Sequence, residues 1–95
     1  MLIAYVNVFV IDLPRALGFY EDALGLSMQF VSQELGYASV AAGAVRLGLA
    51  VPGREQTDLV GRHTGIGFEV SDLEHEHLRL KVLGIAFTMP PTKQP

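Results

Sequence analysis

The chain has no cysteine, few charges and no basic run, and each absence removes a class of function. Without cysteine there is neither a disulfide framework nor a thiolate metal site. Charged residues make up only 18% of the 95, and the net charge of −3 is dispersed. A chain without a basic patch is a poor partner for nucleic acid. The apolar start carries Asn7, lacks a leading basic region and stops at Asp12, so it reads neither as a signal peptide nor as a membrane span. A cytoplasmic protein with no membrane partner is the expectation. No G-x-G-x-x-G, P-loop or nucleophile elbow occurs, and Gly65-x-Gly67 lies within a strand-like run rather than a phosphate loop.

Apolar residues are plentiful, at 49% with a mean hydropathy of +0.33. So short and apolar a chain is one domain that buries a sheet efficiently or covers apolar surface with a partner. The strongest pattern is an internal repeat. Phe9-Val10-Ile11-Asp12-Leu13 opens one copy, and Phe68-Glu69-Val70-Ser71-Asp72-Leu73 opens the other, with the two Asp-Leu pairs sixty positions apart. Each pair follows a strand-like run and precedes a helix-like run that closes on glycine, at Gly25 and Gly84. A duplicated unit builds a shared core or cleft, and function is expected there.

Alternation predicts a first strand over residues 2–11, apolar on both faces and therefore covered on both. Asp12 is a natural N-cap, with Pro14 in the first turn where its missing N–H costs nothing. Leu13, Ala16, Leu17, Phe19, Tyr20, Ala23 and Leu24 form the apolar stripe of a helix that Gly25 ends. Strands follow over 27–33, 37–42 and 45–51, punctuated by Gly36, Gly43 and Pro52-Gly53 in the manner of antiparallel hairpins. Residues 1–53 thus form one β-α-β-β-β module and 54–62 a linker. Residues 63–95 form a second module with a strand over 63–71, a helix over 73–83 and a strand over 85–89. Pro90, Pro91 and Pro95 forbid a regular central strand beyond it. The first copy runs on to Pro52 after Gly25, whereas only 11 residues follow Gly84, so the second copy is expected to lack its last two strands, about 16 residues. Such a sheet exposes apolar wall and unpaired edges, which a homodimer would cover.

Asp12-Leu13-Pro14-Arg15-Ala16-Leu17-Gly18-Phe19-Tyr20, Asp22-Ala23-Leu24-Gly25-Leu26, and Gly65-Ile66-Gly67-Phe68-Glu69-Val70 before Asp72-Leu73 carry a family resemblance. The chain resembles the vicinal oxygen chelate superfamily of glyoxalase, bleomycin-resistance and extradiol-dioxygenase proteins. The resemblance implies an α+β fold of paired βαβββ modules whose sheets curl around a cleft, with helices outside and dimers common. A ferredoxin-like sandwich fits less well, because three strands separate the first helix from the second copy. Metal-dependent members hold a divalent ion through four strand positions, and the ion acts as a Lewis acid on neighbouring substrate oxygens. Carried onto this chain, those positions fall on Tyr5, near Gly48, on Gly65 and on the final strand of the second copy. A neutral phenol is a poor ligand and glycine offers no side chain. A metal site is therefore disfavoured, no cofactor is assured, and whether the chain is an enzyme stays open.

The cleft face is expected to carry Tyr5, Asn7, Phe9, Phe30, Arg46, His63 and Glu69, with Tyr37 beside them. These residues offer aromatic walls and a few polar groups to a small organic ligand. Arg46 suits an anionic substrate, or else pairs with Glu69 or sits at the sheet rim. His63 is a shifted metal ligand or a solvent-facing strand start beside Arg62. Glu69 is a base if burial raises its pKa, or a half-exposed strand carboxylate. Asn7 and Tyr5 need a ligand or a cross-strand hydrogen bond. His75-Glu76-His77 is no metal motif, since helical residues two apart point about 200° apart. Solvent exposure is expected for His75 and a packing edge for His77. Three functions remain: small-molecule binding without the metal site, a metal-dependent lyase, isomerase or dioxygenase using His63, and a dimerisation module with a filled cleft.

Overall fold

The computed structural model describes residues 1–89 and Pro91. The chain forms two compact units, Met1–Thr64 and Gly65–Pro95. The first holds, in order, β1 (Tyr5–Phe9), α1 (Leu13–Gly18, continued by a π-helical turn over Phe19–Ala23), β2 (Met28–Ser32), β3 (Tyr37–Ala42) and β4 (Val45–Ala50), followed by short 3₁₀ turns over Arg54–Leu59. The architecture is α+β, and this unit is a complete βαβββ module. The second unit contributes α2 (Leu73–Val82).

The four strands form one sheet in the order β1-β4-β3-β2. β1 lies parallel to β4, with Tyr5 opposite Arg46, Asn7 opposite Gly48 and Phe9 opposite Ala50. β2, β3 and β4 run antiparallel through turns that Gly36 and Gly43 close. Strand side chains alternate between faces, so this register sorts the sheet into two surfaces. One carries Leu47, Leu49, Ala38 and Val40, all buried. Leu13, Ala38 and Leu49 are the centre of the core, and Val8, Val10, Ala16, Leu17 and Tyr20 pack around them. The other surface carries Tyr5, Asn7, Arg46, Gly48, Tyr37 and Phe30.

Both helix starts form as the sequence implies. Asp12 accepts from the Arg15 N–H at 3.1 Å, and Asp72 accepts from the His75 N–H at 3.1 Å. The helix ends differ. In α2 the Ile85 N–H donates to the Leu80 carbonyl and the Gly84 N–H to Lys81, with Gly84 left-handed at φ +87°. That is a Schellman closure. The first copy is one residue longer from capping Asp to closing Gly (Asp12 to Gly25 against Asp72 to Gly84). The extra residue is taken up as the π turn, where the Leu24 N–H reaches the Phe19 carbonyl five residues back at 3.1 Å.

Some sequence expectations are corrected. β1 is shorter than residues 2–11, because its only partner, β4, ends at Ala50; single hydrogen bonds at Ala4 and Val10 extend the pairing. It is an edge strand, and Tyr5 and Asn7 are exposed, so its two faces are not both covered. No strand forms over 63–71 or 85–89. A strand is held by a ladder partner, and Gly65, left-handed at φ +71°, breaks the period-two alternation expected there. The expectation concerning Pro90 and Pro95 lies outside the described residues. His75 is exposed, while the His77 ring meets Phe87 edge-on at 4.6 Å. Among the described residues no helix is long and apolar enough to cross a membrane.

Candidate functional site

The sheet surface opposite α1 collects the polar and aromatic residues of the first unit. None of the four strands contains an aspartate or glutamate, and Arg46 is their one charged residue. Alternation sends Leu47 and Leu49 into the core, which places Arg46 and Gly48 on the opposite surface. The parallel register sets Arg46 beside Tyr5, and its guanidinium carbon lies 5.7 Å from the Tyr5 ring centre. This is within cation–π range.

One step along the strands, the Tyr37 hydroxyl donates to Asn7 Oδ1 at 3.3 Å. The bond spans β3 to β1 and passes over β4 at Gly48. A β-carbon built at Gly48 would fall on Asn7 Oδ1 and the Tyr37 hydroxyl, and would stand 3.0 Å from Tyr37 Cε1. Glycine leaves the room in which these two side chains close over the backbone, and a β-carbon would push them aside. The Tyr37 ring also lies 6.3 Å from Phe30, tilted by 43°. Arg46, Tyr5, Asn7, Tyr37 and Phe30 therefore make a band across the sheet. Tyr5 is 53% exposed and Phe30 46% exposed, so the band leaves aromatic surface open.

Of the residues expected at the site, the sheet gathers Tyr5, Asn7, Phe9, Phe30 and Arg46. Phe9 shares the surface through its register with Ala50 and is half-buried. His63 is exposed beyond the last strand of the first unit. Glu69 belongs to the second unit, where it is exposed. Sequence reasoning missed the part played by Tyr37, which fills the space over Gly48. The signal was available, because a glycine inside a strand marks a close approach.

At the positions where the resemblance places metal ligands, the donors are poor. Tyr5 offers a phenol, and Gly48 and Gly65 offer no side chain. At Gly48 the Asn7–Tyr37 pair also occupies the room a longer side chain would need. Among the described residues no three His, Asp or Glu side chains gather as a metal-binding group. A separate open depression of about 730 Å³ lies between the start of α1 and the β2–β3 turn, lined by Ile11, Leu13, Pro14, Leu35 and Val51 among others, and by none of the expected site residues. Tyr20, on the α1 side, has its pKa raised by burial.

A sequence model of the glyoxalase/bleomycin resistance protein/dioxygenase superfamily matches residues 2–95. No curated protein matches the chain. Among solved structures, a member of that superfamily from Sphaerobacter thermophilus DSM 20745 is similar at a TM-score of 0.85 and 25% identity, over 100% of this chain and 81% of that one. A bleomycin-binding protein from bleomycin-producing Streptomyces verticillus, complexed with copper(II)-bleomycin, is similar at a TM-score of 0.60 and 25% identity, over 84% of this chain and 62% of that one. A lactoylglutathione lyase from Agrobacterium tumefaciens shares the fold at a TM-score of 0.69 and 22% identity, over 93% of this chain and 74% of that one. With its βαβββ module, its paired Asp-Leu helix starts and this match along nearly its whole length, the chain belongs to the glyoxalase/bleomycin resistance protein/dioxygenase superfamily.

Proposed function

We propose that the chain binds a small organic molecule on the open sheet surface of its first module, without a divalent metal. The ligand stacks against Tyr5, Phe9 and Phe30 and is oriented by Asn7, Arg46 or His63. The observation that carries this reading is the band of exposed aromatic rings joined to the Asn7–Tyr37 hydrogen bond across Gly48. Half-exposed aromatic rings with a few fixed polar groups are the usual lining of small-molecule sites. The similar bleomycin-binding protein, which holds copper(II)-bleomycin, adds support from the same superfamily. The metal-free part of the proposal rests on the donor set, since a phenol and two glycines are poor partners for a divalent cation.

The proposal extends to a homodimer, because Leu2, Ile3 and Val82 are exposed apolar side chains that a second copy would remove from water. Light scattering that finds only a monomer would overturn that part. Ligand-observed NMR against a panel of neutral and charged aromatic fragments tests the binding. Some fragments are expected to bind in EDTA, and Phe30→Ala is expected to weaken them. Metal analysis of the purified protein tests the rest. A stoichiometric divalent ion that is lost in His63→Ala would overturn the metal-free reading in favour of a metal-dependent enzyme.

A further inference from the structure

We infer that the ligand of this surface is a planar aromatic anion, held by Arg46 at one end and by the Phe30–Tyr37 rings at the other. The inference rests on the binding proposed above and adds the ligand's charge. Its basis is the isolation of Arg46. The protein is acidic overall at −3, yet its sheet carries one cation and no carboxylate. Among the described residues, ion pairs join Arg62 to Asp58 and Arg79 to Glu76, and Arg46 takes part in neither. Its guanidinium lies over the Tyr5 ring instead, 5.7 Å from the ring centre. A guanidinium resting on an aromatic face keeps its edge N–H donors available, and those donors match a carboxylate or similar oxyanion in two parallel hydrogen bonds.

The neighbouring polar group points the same way. Asn7 Oδ1 already accepts from the Tyr37 hydroxyl. The Asn7 amide N–H groups have no partner among the described residues, so the second polar side chain of the band also presents donors. A surface of donors and ring faces, with no acidic side chain on any strand, is complementary to an anion carried on a flat apolar body. A cationic ligand would meet Arg46 with like charge and no compensating carboxylate on the strands.

Calorimetric titration of the full chain with 2-naphthoate, the neutral 2-naphthamide and 2-naphthylmethylammonium tests this, because the ring is constant while the charge changes. Naphthoate is expected to bind about tenfold more tightly than naphthamide, the order of one charge-assisted hydrogen-bond pair, and the ammonium compound is expected to bind weakest. Arg46→Gln is expected to remove the preference, so that naphthoate binds no more tightly than naphthamide, and Arg46→Lys is expected to retain part of the preference. Arg46 is exposed, and circular dichroism checks the fold of both variants. If either misfolds, the comparison of the three compounds on the unmodified chain decides the question. Equal affinity for naphthoate and naphthamide, or a preference that survives in Arg46→Gln, overturns the anion inference while leaving the binding proposal intact. Binding of none of the three overturns both. Naphthoate affinity that falls as protein concentration rises assigns the surface to a second copy of the chain and overturns the inference.

Discussion

The two helix starts read almost alike and end in opposite environments. Asp12 and Asp72 adopt the same extended backbone, accept the same hydrogen bond at the same 3.1 Å, and are each followed by leucine. Leu13 is 3% exposed, whereas Leu73 is 54% exposed. Leu13 enters a core floored by Ala38 and Leu49 of a four-stranded sheet. α2 has no buried residue. Capping is a local matter of a short side chain and three backbone positions, so a short motif specifies it. Burial requires a surface to bury against, and among the described residues only the first copy has a ladder of strands beneath its helix. The same local code thus sets where a helix begins in both units, while the packing that stabilises it is found in one.

Truncating the two leucines is expected to have the largest and most unequal effect. Leu13→Ala is expected to lower the unfolding free energy by about 3 kcal/mol in urea titration, as core leucine deletions do. Leu73→Ala is expected to change it by no more than about 0.5 kcal/mol. Equal losses would mean that α2 is packed as firmly as α1. Next in size is Gly48. Gly48→Ala is expected to cost about 2 kcal/mol, because its β-carbon displaces Asn7 and Tyr37. In the Asn7→Ala background the same change is expected to cost less than half as much, so a double-mutant cycle measures the crowding directly. An additive cycle would show that the close approach is not the reason for the glycine.

The two caps sharpen the comparison further. Asp12→Ala is expected to lower the global midpoint, by about 1 kcal/mol in free energy. Asp72→Ala is expected to weaken hydrogen-exchange protection within α2 and to leave the global midpoint in place, because α2 opens without the core. The smallest effect concerns Tyr20. Burial raises its folded-state pKa above the ordinary phenol value of 10.0, so the unfolded chain loses this proton first as pH rises. The contribution is therefore intact below pH 10 and is lost as pH climbs through the higher folded value. Denaturation midpoints from pH 8 to 11 should fall at the alkaline end, and Tyr20→Phe should flatten that fall.

Much of the fold was legible in the sequence. Asp12, Gly25, Gly36, Gly43 and Gly84 mark real boundaries, because capping and left-handed turns depend on single residues. The resemblance added the family, and alternation placed Tyr5, Asn7 and Arg46 on a common surface. What the sequence left hidden depended on distance along the chain. Residues 63–71 alternate like a strand, yet a strand is a relation to a neighbour, and Gly65 turns the backbone aside. The Tyr37–Asn7 bond joins residues thirty positions apart, and only the register of β1, β4 and β3 brings them together. Gly48 carries a clue as a glycine within a strand, but the two side chains that close over it come from other strands and are not marked by its local sequence.

If ligand binding belongs to the sheet surface of the first module and needs no metal, a neutral aromatic probe should find that surface in a chelator. Amide chemical-shift mapping of the ¹⁵N-labelled chain, titrated with 2-naphthamide in EDTA, tests it most directly. The probe is neutral, so the result does not depend on the ligand's charge. Saturable shifts are expected at Tyr5, Asn7, Phe30, Tyr37 and Arg46, with Ile11, Leu35 and Val51 unmoved. Shifts centred on that second set, or shifts that appear only after a divalent metal is added, would contradict it.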